Sequence, residues 1–174
     1  MTSGVGMASA TTAQTLDAQA IRGAVANVVD PEIRVVTIED LGILRDVTMD
    51  KVGRVTVTIT PTYAGCPAMD VIRADVAAAA RAAGAFDVDV RTELSPAWST
   101  DRISETGKAK LAAAGIAPPS PVRAPGQVLL QIAVRCPHCG SPATQELSRF
   151  GSTACKSLWR CTDCREPFDH VKAF

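Results

Sequence analysis

The residues best suited to chemistry are four cysteines in the last third of the chain, arranged as two pairs. Cys136 and Cys139 form one C-x-x-C pair, and Cys161 and Cys164 form the other. Two thiolates separated by two residues can bind one ion on a single backbone turn, and two facing turns supply four sulfur ligands. This spacing predicts a closed tetrahedral metal site, and Gly140 is expected to provide the positive φ with which the chain leaves the first pair.

Zinc is the predicted metal, because the protein fills all four ligand positions. The same ligands suit a rubredoxin-like iron centre or an iron–sulfur cluster, and this alternative stays open. The segment that carries the site is too short for an adequate hydrophobic core, so we expect the metal to stabilise its fold. His138 and His170 are predicted to be surface residues, and Phe150, Trp159 and Phe168 to form a small core.

Two cysteines, Cys66 and Cys155, lie outside these pairs. Pro67 is tolerated in the first turn of a helix, which makes Cys66 the predicted N-cap. The helix dipole would favour its thiolate, so Cys66 is a candidate for metal or sulfide chemistry, although inert turns share this arrangement. Cys155 is either a buried hydrophobic residue or an auxiliary thiol that faces a partner or assists metal exchange. Lys156 beside it would favour its thiolate.

The elements predicted around these cysteines give an α+β protein in two parts. Predicted helices span 15–29, 67–83 and 101–114, the last capped by Thr100, and predicted strands span 43–49, 54–60 and 86–94. The predicted organisation is a disordered tail over 1–14, a small α/β domain with an added helix over 15–116, a proline-rich linker over 117–126 and a four-cysteine zinc-ribbon module over 127–174.

Charge and hydropathy weigh against several classes of function. The chain has 18 Lys+Arg and 18 Asp+Glu, so no overall field draws it to nucleic acid or to an anionic membrane. It has no apolar run long enough to cross a bilayer and no secretion-signal pattern, so we expect a cytoplasmic protein with reduced thiols. The sequence contains no Ser–His–Asp set and no phosphate-binding glycine loop. An accessory protein is therefore favoured over an enzyme, and the charge balance disfavours a zinc-ribbon nucleic-acid binder.

Three motifs in the first part carry a resemblance: Asp30-Pro31-Glu32, residues 36–44, and Gly65-Cys66-Pro67 before a helix. Over residues 14–94 they resemble the domain family of iron–sulfur assembly factors that includes SufT. The resemblance implies a compact α/β domain associated with iron–sulfur cluster maturation. It implicates Cys66, and with it Asp30 and Glu32, in handling iron or sulfide. On the residues alone, two acids that flank a proline are more often a solvated cap.

Motifs along the whole chain carry a second resemblance: LSPAWSTDRIS at 94–104, GIAPP at 115–119, SRFGSTACK at 148–156 and CREPFDHVK at 164–172. They resemble the PaaD (PaaJ) family of accessory subunits of bacterial phenylacetyl-CoA epoxidase systems. The resemblance implies a role in aerobic phenylacetate catabolism, maturing or inserting iron or iron–sulfur centres in the partner oxygenase and reductase subunits. The alternative is a redox protein of the same system, whose thiolate-bound iron delivers electrons to the oxygenase.

Overall fold

The computed structural model of the protein describes residues 17–119 and 134–173, which form two β-sheets. The predicted tail and residues 120–126 of the predicted linker lie outside these ranges. No helix within the two described ranges is both long enough and apolar enough to span a membrane.

The first sheet contains three strands in the order β1-β2-β3. Its elements and the helices around it are α1 (Ala18–Ala26), β1 (Leu44–Met49), β2 (Arg54–Ile59), α2 (Ala68–Ala82) and β3 (Asp87–Thr92). β1 and β2 form an antiparallel hairpin, whereas β2 and β3 are parallel and are connected through α2. Val55, Val57 and Ile59 stand at every second position of β2 and are fully buried, as expected for a strand with one covered face.

The helix predicted over 101–114 is interrupted, so this prediction is wrong in part. A short 3-10 turn, Thr100–Arg102, is followed by α3, Glu105–Ala113. Between them Ile103 is extended and only 2% exposed, because its side chain belongs to the hydrophobic core. Ser104, and not Thr100, caps α3, since its hydroxyl accepts a hydrogen bond from the Gly107 N–H at 2.9 Å.

The segment between α1 and β1 is ordered by close backbone packing against the region before α3. Gly42 has a φ of 67°, and a Cβ there would lie 2.6 Å from both the Cβ and the carbonyl oxygen of Arg102. The Trp98 indole donates a hydrogen bond to the Leu41 carbonyl at 2.8 Å. These contacts fix the end of the loop, next to β1, whereas Asp30 and Glu32 lie nearer its start.

The second sheet has four strands in the order β4-β7-β6-β5. They are β4 (Ile116–Ala117), β5 (Thr144–Ser148), β6 (Lys156–Cys161) and β7 (Pro167–Val171). β4 pairs in parallel with β7, and the other pairs are antiparallel. The predicted start of the linker at Ala117 therefore falls inside a paired strand that follows α3 directly.

Two hydrophobic clusters lie beneath these sheets. The larger one is formed by buried residues of α1, α2, the first sheet and the loops around them. It also contains Cys155 and Val171 from the second part of the chain. The smaller one includes Phe168, with Trp159 packed against it, as predicted. Phe150 was predicted to join it, but this is wrong: the residue is 76% exposed, and its ring centroid lies 5.3 Å from the Lys172 ammonium.

Candidate metal centre and thiol pocket

The two C-x-x-C pairs converge on one point. The Sγ atoms of Cys136 and Cys164 are 3.7 Å apart, those of Cys139 and Cys161 are 3.6 Å apart, and all four lie within 4.8 Å of one another. Four Zn–S bonds of about 2.3 Å in a tetrahedron give S···S separations of roughly 3.8 Å. The four sulfurs therefore fit one four-coordinate ion. Among the described residues, no other group of three or more His, Cys, Asp or Glu ligand atoms is this close.

The backbone around each pair repeats the same turn. Gly140 has a φ of 74°, as expected, and Arg165 occupies the corresponding position after Cys164 with a φ of 67°. A positive φ costs a non-glycine residue about 1–2 kcal/mol. Because Arg165 is not a glycine, nothing in the sequence indicated that the second turn would match the first.

The four thiols of this centre do not all ionise readily, because neighbouring thiolates repel one another. The backbone N–H of Cys164 points at the Cys161 sulfur, and this contact does most to lower the pKa of Cys161 to about 7. The pKa of Cys164 is raised to about 12: the Glu166 N–H favours its thiolate, but burial and the three neighbouring sulfurs outweigh that contact. A divalent cation removes this conflict, because it allows all four sulfurs to be thiolates together.

The two histidines differ in environment. His138 is exposed, as predicted. His170 was predicted to be a surface residue, but it is largely buried, and burial lowers its pKa to about 4. Its Nδ1 lies 3.3 Å from the Ser157 hydroxyl, and its ring stands edge-on to Trp159 at a centroid distance of 5.7 Å.

A second candidate site lies between the two parts of the chain. It is a cavity of about 20 Å³, and its wall includes Asp30, Glu32, Cys66 and Cys155 among mainly apolar neighbours. A cavity of this size holds one water-sized ligand. The structure thus brings together all three residues that were predicted to handle iron or sulfide, and adds the auxiliary thiol to them.

Asp30 shapes the turn from which Glu32 extends. Its Oδ1 accepts hydrogen bonds from the N–H groups of Glu32 at 2.9 Å and Ile33 at 2.7 Å. Asp30 is only 5% exposed, so a solvated cap is excluded for this residue. Burial raises the pKa of its carboxyl, against the effect of the two N–H groups and of Lys156. Asp30 is therefore a buried residue that caps this turn by accepting hydrogen bonds from its backbone N–H groups.

Cys66 is half-buried in the turn between β2 and α2. The predicted N-cap role is wrong, because Pro67 occupies the cap position and α2 begins at Ala68. The Ala68 N–H still donates to the Cys66 sulfur, but burial outweighs this contact and, with the charge of Glu32, raises the pKa of the thiol. The expected preference for the thiolate is therefore also wrong.

Cys155 is the residue whose position could not be inferred from the sequence. Its Sγ lies 3.6 Å from Oε2 of Glu32 and 3.1 Å from the Thr153 hydroxyl, and the residue is 8% exposed. Burial raises the pKa of its thiol, and Glu32 and Asp30 add to the effect. Lys156 does not favour this thiolate as predicted, because its ammonium pairs with Asp169 at 3.2 Å.

Sequence reasoning missed Tyr63, whose hydroxyl is hydrogen-bonded to the Cys66 sulfur. Burial, and then the neighbouring charges of Cys66 and Glu32, raise the pKa of Tyr63 to about 12. The available signal was its position: it is the one tyrosine of the chain and stands three residues before Cys66.

Two known families match successive parts of the chain. A family model described as iron-sulfur cluster assembly protein matches residues 18–91. A second, described as PaaD zinc beta ribbon domain, matches residues 123–172. The fold and site therefore define a class of protein in which an iron–sulfur-assembly-type domain is joined to a zinc β-ribbon, which confirms the predicted fold class.

The relatives narrow this class. The chain is 45% identical over 143 residues, 82% of its own length and 85% of the relative's, to an Escherichia coli (strain K12) protein provisionally named as one of the subunits of 1,2-phenylacetyl-CoA epoxidase. It therefore belongs to the PaaD family of phenylacetyl-CoA epoxidase subunits, which confirms that resemblance.

Further matches cover the first part of the chain alone. The Fe-S protein maturation auxiliary factor YitW of Bacillus subtilis (strain 168) is 38% identical over 92 residues, 52% of this chain and 89% of that protein. The crystal structure of a domain of unknown function, DUF59, from Bacillus anthracis superposes with a TM-score of 0.50 at 30% identity, over 54% of this chain and 90% of that one.

Proposed function

We propose that the protein is a non-catalytic accessory factor of a phenylacetyl-CoA epoxidase system, and that it helps to mature the iron or iron–sulfur centres of the oxygenase and reductase subunits. The observation that carries the proposal is the pocket in which Cys66 and Glu32, on the assembly-type domain, face one small cavity. Support comes from the relatives, of which one is named as an epoxidase component and others as Fe-S protein maturation auxiliary factors.

In this proposal the two sites have separate tasks. Cys66 and Glu32, with Asp30 holding the turn, handle iron or sulfide in transit, and Cys136, Cys139, Cys161 and Cys164 hold one structural zinc ion. Zinc bound there supplies folding free energy, on the order of 10–16 kcal/mol in small modules, and no redox chemistry. The proposal places the protein in the cytoplasm, where thiols stay reduced; all six cysteines are free.

Reconstitution of the epoxidase with and without the pocket thiol tests this function. The Cys66→Ser variant is expected to keep its fold and its zinc, while the oxygenase matured with it lacks iron and epoxidase activity fails. Ala64→Ser is the matched control, because it adds a hydroxyl at an exposed position of the same turn. Wild-type iron loading and activity with Cys66→Ser would refute the role proposed for this thiol.

The second candidate is a redox protein with iron in the four-cysteine centre. The sulfur separations of 3.6 and 3.7 Å suit tetrahedral iron as well as zinc, so this centre is the observation in its favour. The two candidates differ in colour, because zinc thiolates do not absorb visible light and ferric thiolates do. We expect protein purified without oxygen and then oxidised in air to be colourless and to contain one zinc per chain. One iron and no zinc per chain, with a visible thiolate-to-iron band, would favour the redox protein.

A further inference from the structure

The pocket beside Cys66 is completed by the second part of the chain. Cys155 immediately precedes β6, yet its side chain belongs to the hydrophobic cluster of the first sheet. It lines the same cavity of about 20 Å³ as Cys66 and Glu32. The assembly-type domain therefore supplies one thiol and two carboxylates, those of Asp30 and Glu32, to this cavity, and the ribbon supplies the second thiol.

Several contacts hold Cys155 in this place. Its carbonyl accepts a hydrogen bond from the Lys172 N–H at 3.0 Å, just beyond the end of β7. The turn before it is tight: a Cβ on Gly151 would lie 3.0 Å from Asp169 Oδ1 and 3.1 Å from the Lys156 backbone. The Lys156 ammonium pairs with Asp169 at 3.2 Å. β6 and β7 of the second sheet thus both hold Cys155 in position.

We infer that Cys66, Cys155 and Glu32 bind one thiophilic divalent cation, ferrous iron, in a site shared between the two parts of the chain. The inference rests on the proposed function and names what its pocket carries. Two thiolates and a carboxylate suit a borderline cation such as Fe²⁺ better than Mg²⁺ or Ca²⁺, which prefer oxygen ligands alone. Each thiol loses its proton to solvent when its sulfur binds the ion. Two thiolates and the Glu32 carboxylate then bring three negative charges to a doubly charged cation, so the occupied site carries one net negative charge.

The dimensions favour one ion over a cluster. A cavity of about 20 Å³ accommodates one water-sized particle. Iron–sulfur clusters are commonly held by four cysteines, whereas this cavity offers two. The three ligand atoms surround the cavity without all lying within 4.8 Å of one another. Binding therefore draws them inward by rotation of the cysteine side chains about χ1.

An ion can reach this site from outside through Cys66. The same residue lines an outer groove of about 360 Å³, whose other walls include Gly65, Asp70, Arg73 and Leu94. Cys66 thus stands between the groove and the inner cavity that contains Cys155. The exposed groove is the route by which a client protein can approach the bound ion.

Anaerobic titration with Co²⁺, a spectroscopic substitute for Fe²⁺, tests the inference on the full-length chain already holding one zinc. Wild-type protein is expected to bind one further Co²⁺ with a sulfur-to-metal charge-transfer band. The band should fall by about half in Cys155→Ser and in Cys66→Ser, with affinity lower by about a hundredfold or more. Glu32→Gln should weaken binding with the band retained, whereas Glu93→Gln, at an exposed position, should match wild type.

Two controls keep the titration interpretable, and Fe²⁺ competition identifies the cargo. A zinc indicator verifies that the ribbon ion stays bound, and Cys155→Ala provides a second variant should the serine disturb the fold. Fe²⁺ in large excess is expected to remove the Co²⁺ band, because a given set of ligands binds Co²⁺ more tightly than Fe²⁺. If Cys155→Ser and Cys155→Ala bind Co²⁺ like wild type while Cys66→Ser does not, the shared site is wrong and the proposed function stands. If wild-type protein binds no second ion, the shared site is wrong, and reconstitution of the epoxidase with Cys66→Ser decides the proposed function separately.

Discussion

The Sγ atom of Cys155 lies 3.6 Å from Oε2 of Glu32, although 123 positions separate the two residues in the chain. Glu32 belongs to the loop before the first sheet, and Cys155 to the turn before β6, a strand that ends at Cys161 of the four-cysteine centre. The metal centre and the thiol pocket are therefore connected through β6. An ion that stabilises the ribbon also fixes one wall of the pocket.

Loss of one ribbon ligand should therefore unfold the ribbon. We predict that Cys139→Ser loses its metal and that residues 134–173 become sensitive to protease, because the small cluster around Phe168 is too small to fold without the ion. Zinc analysis and limited proteolysis measure the two effects. His138→Asn is the matched control, because it changes an exposed neighbour in the same turn and should keep both zinc and resistance. A Cys139→Ser protein that stays resistant without metal would show that hydrophobic burial alone folds the ribbon.

His170 should make the protein less stable in mild acid. Burial lowers its pKa to about 4 from an ordinary value of 6.5, so the unfolded chain takes up the proton first as the pH falls below 6.5. Stability from this group is complete above pH 6.5 and is lost as the pH falls towards 4. The loss between pH 7 and pH 5 is on the order of 2 kcal/mol.

Urea unfolding at these two pH values, with zinc occupancy verified, measures this effect. His170→Asn should lose less stability than wild type on acidification, because an amide does not titrate. His138→Asn should behave like wild type. Equal losses in wild type and His170→Asn would mean that His170 is not buried as described.

Alanine substitutions at two glycines distinguish the cost of backbone strain from the cost of steric contact. Gly42 and Gly65 both have positive φ, 67° and 84°, but only at Gly42 would a Cβ meet other atoms, at 2.6 Å from Arg102. Gly65→Ala is expected to cost about 1–2 kcal/mol of unfolding free energy from φ alone. Gly42→Ala should cost about 1–3 kcal/mol more, because the loop must move away from Arg102. Equal costs in denaturant titrations would contradict the close approach.

Features with local causes were predictable from the sequence. The pairing of Cys136 with Cys139 follows from their spacing, and the burial of Val55, Val57 and Ile59 follows from a period of two. The turn at Gly140 follows from the need for positive φ after a metal-binding pair. None of these depends on what the rest of the chain contributes.

Features that depend on tertiary burial were not predictable. The helix dipole suggested a favoured thiolate at Cys66, but burial outweighs it and raises the pKa. Lys156 is adjacent to Cys155 in sequence, yet its ammonium pairs with the Asp169 carboxylate. The approach of Cys155 to Glu32 depends on how the second sheet packs against the first domain, and no local pattern encodes that arrangement.

X-ray absorption at the iron edge gives the sharpest test of iron binding by Cys66 and Cys155, with Fe²⁺ added anaerobically to protein whose ribbon already holds zinc. Sulfur neighbours at a bond length of about 2.3 Å are expected in wild type, and fewer in Cys155→Ser and in Cys66→Ser, with the zinc environment unchanged. Iron surrounded only by oxygen or nitrogen in the wild-type protein would show that the two thiols do not hold it.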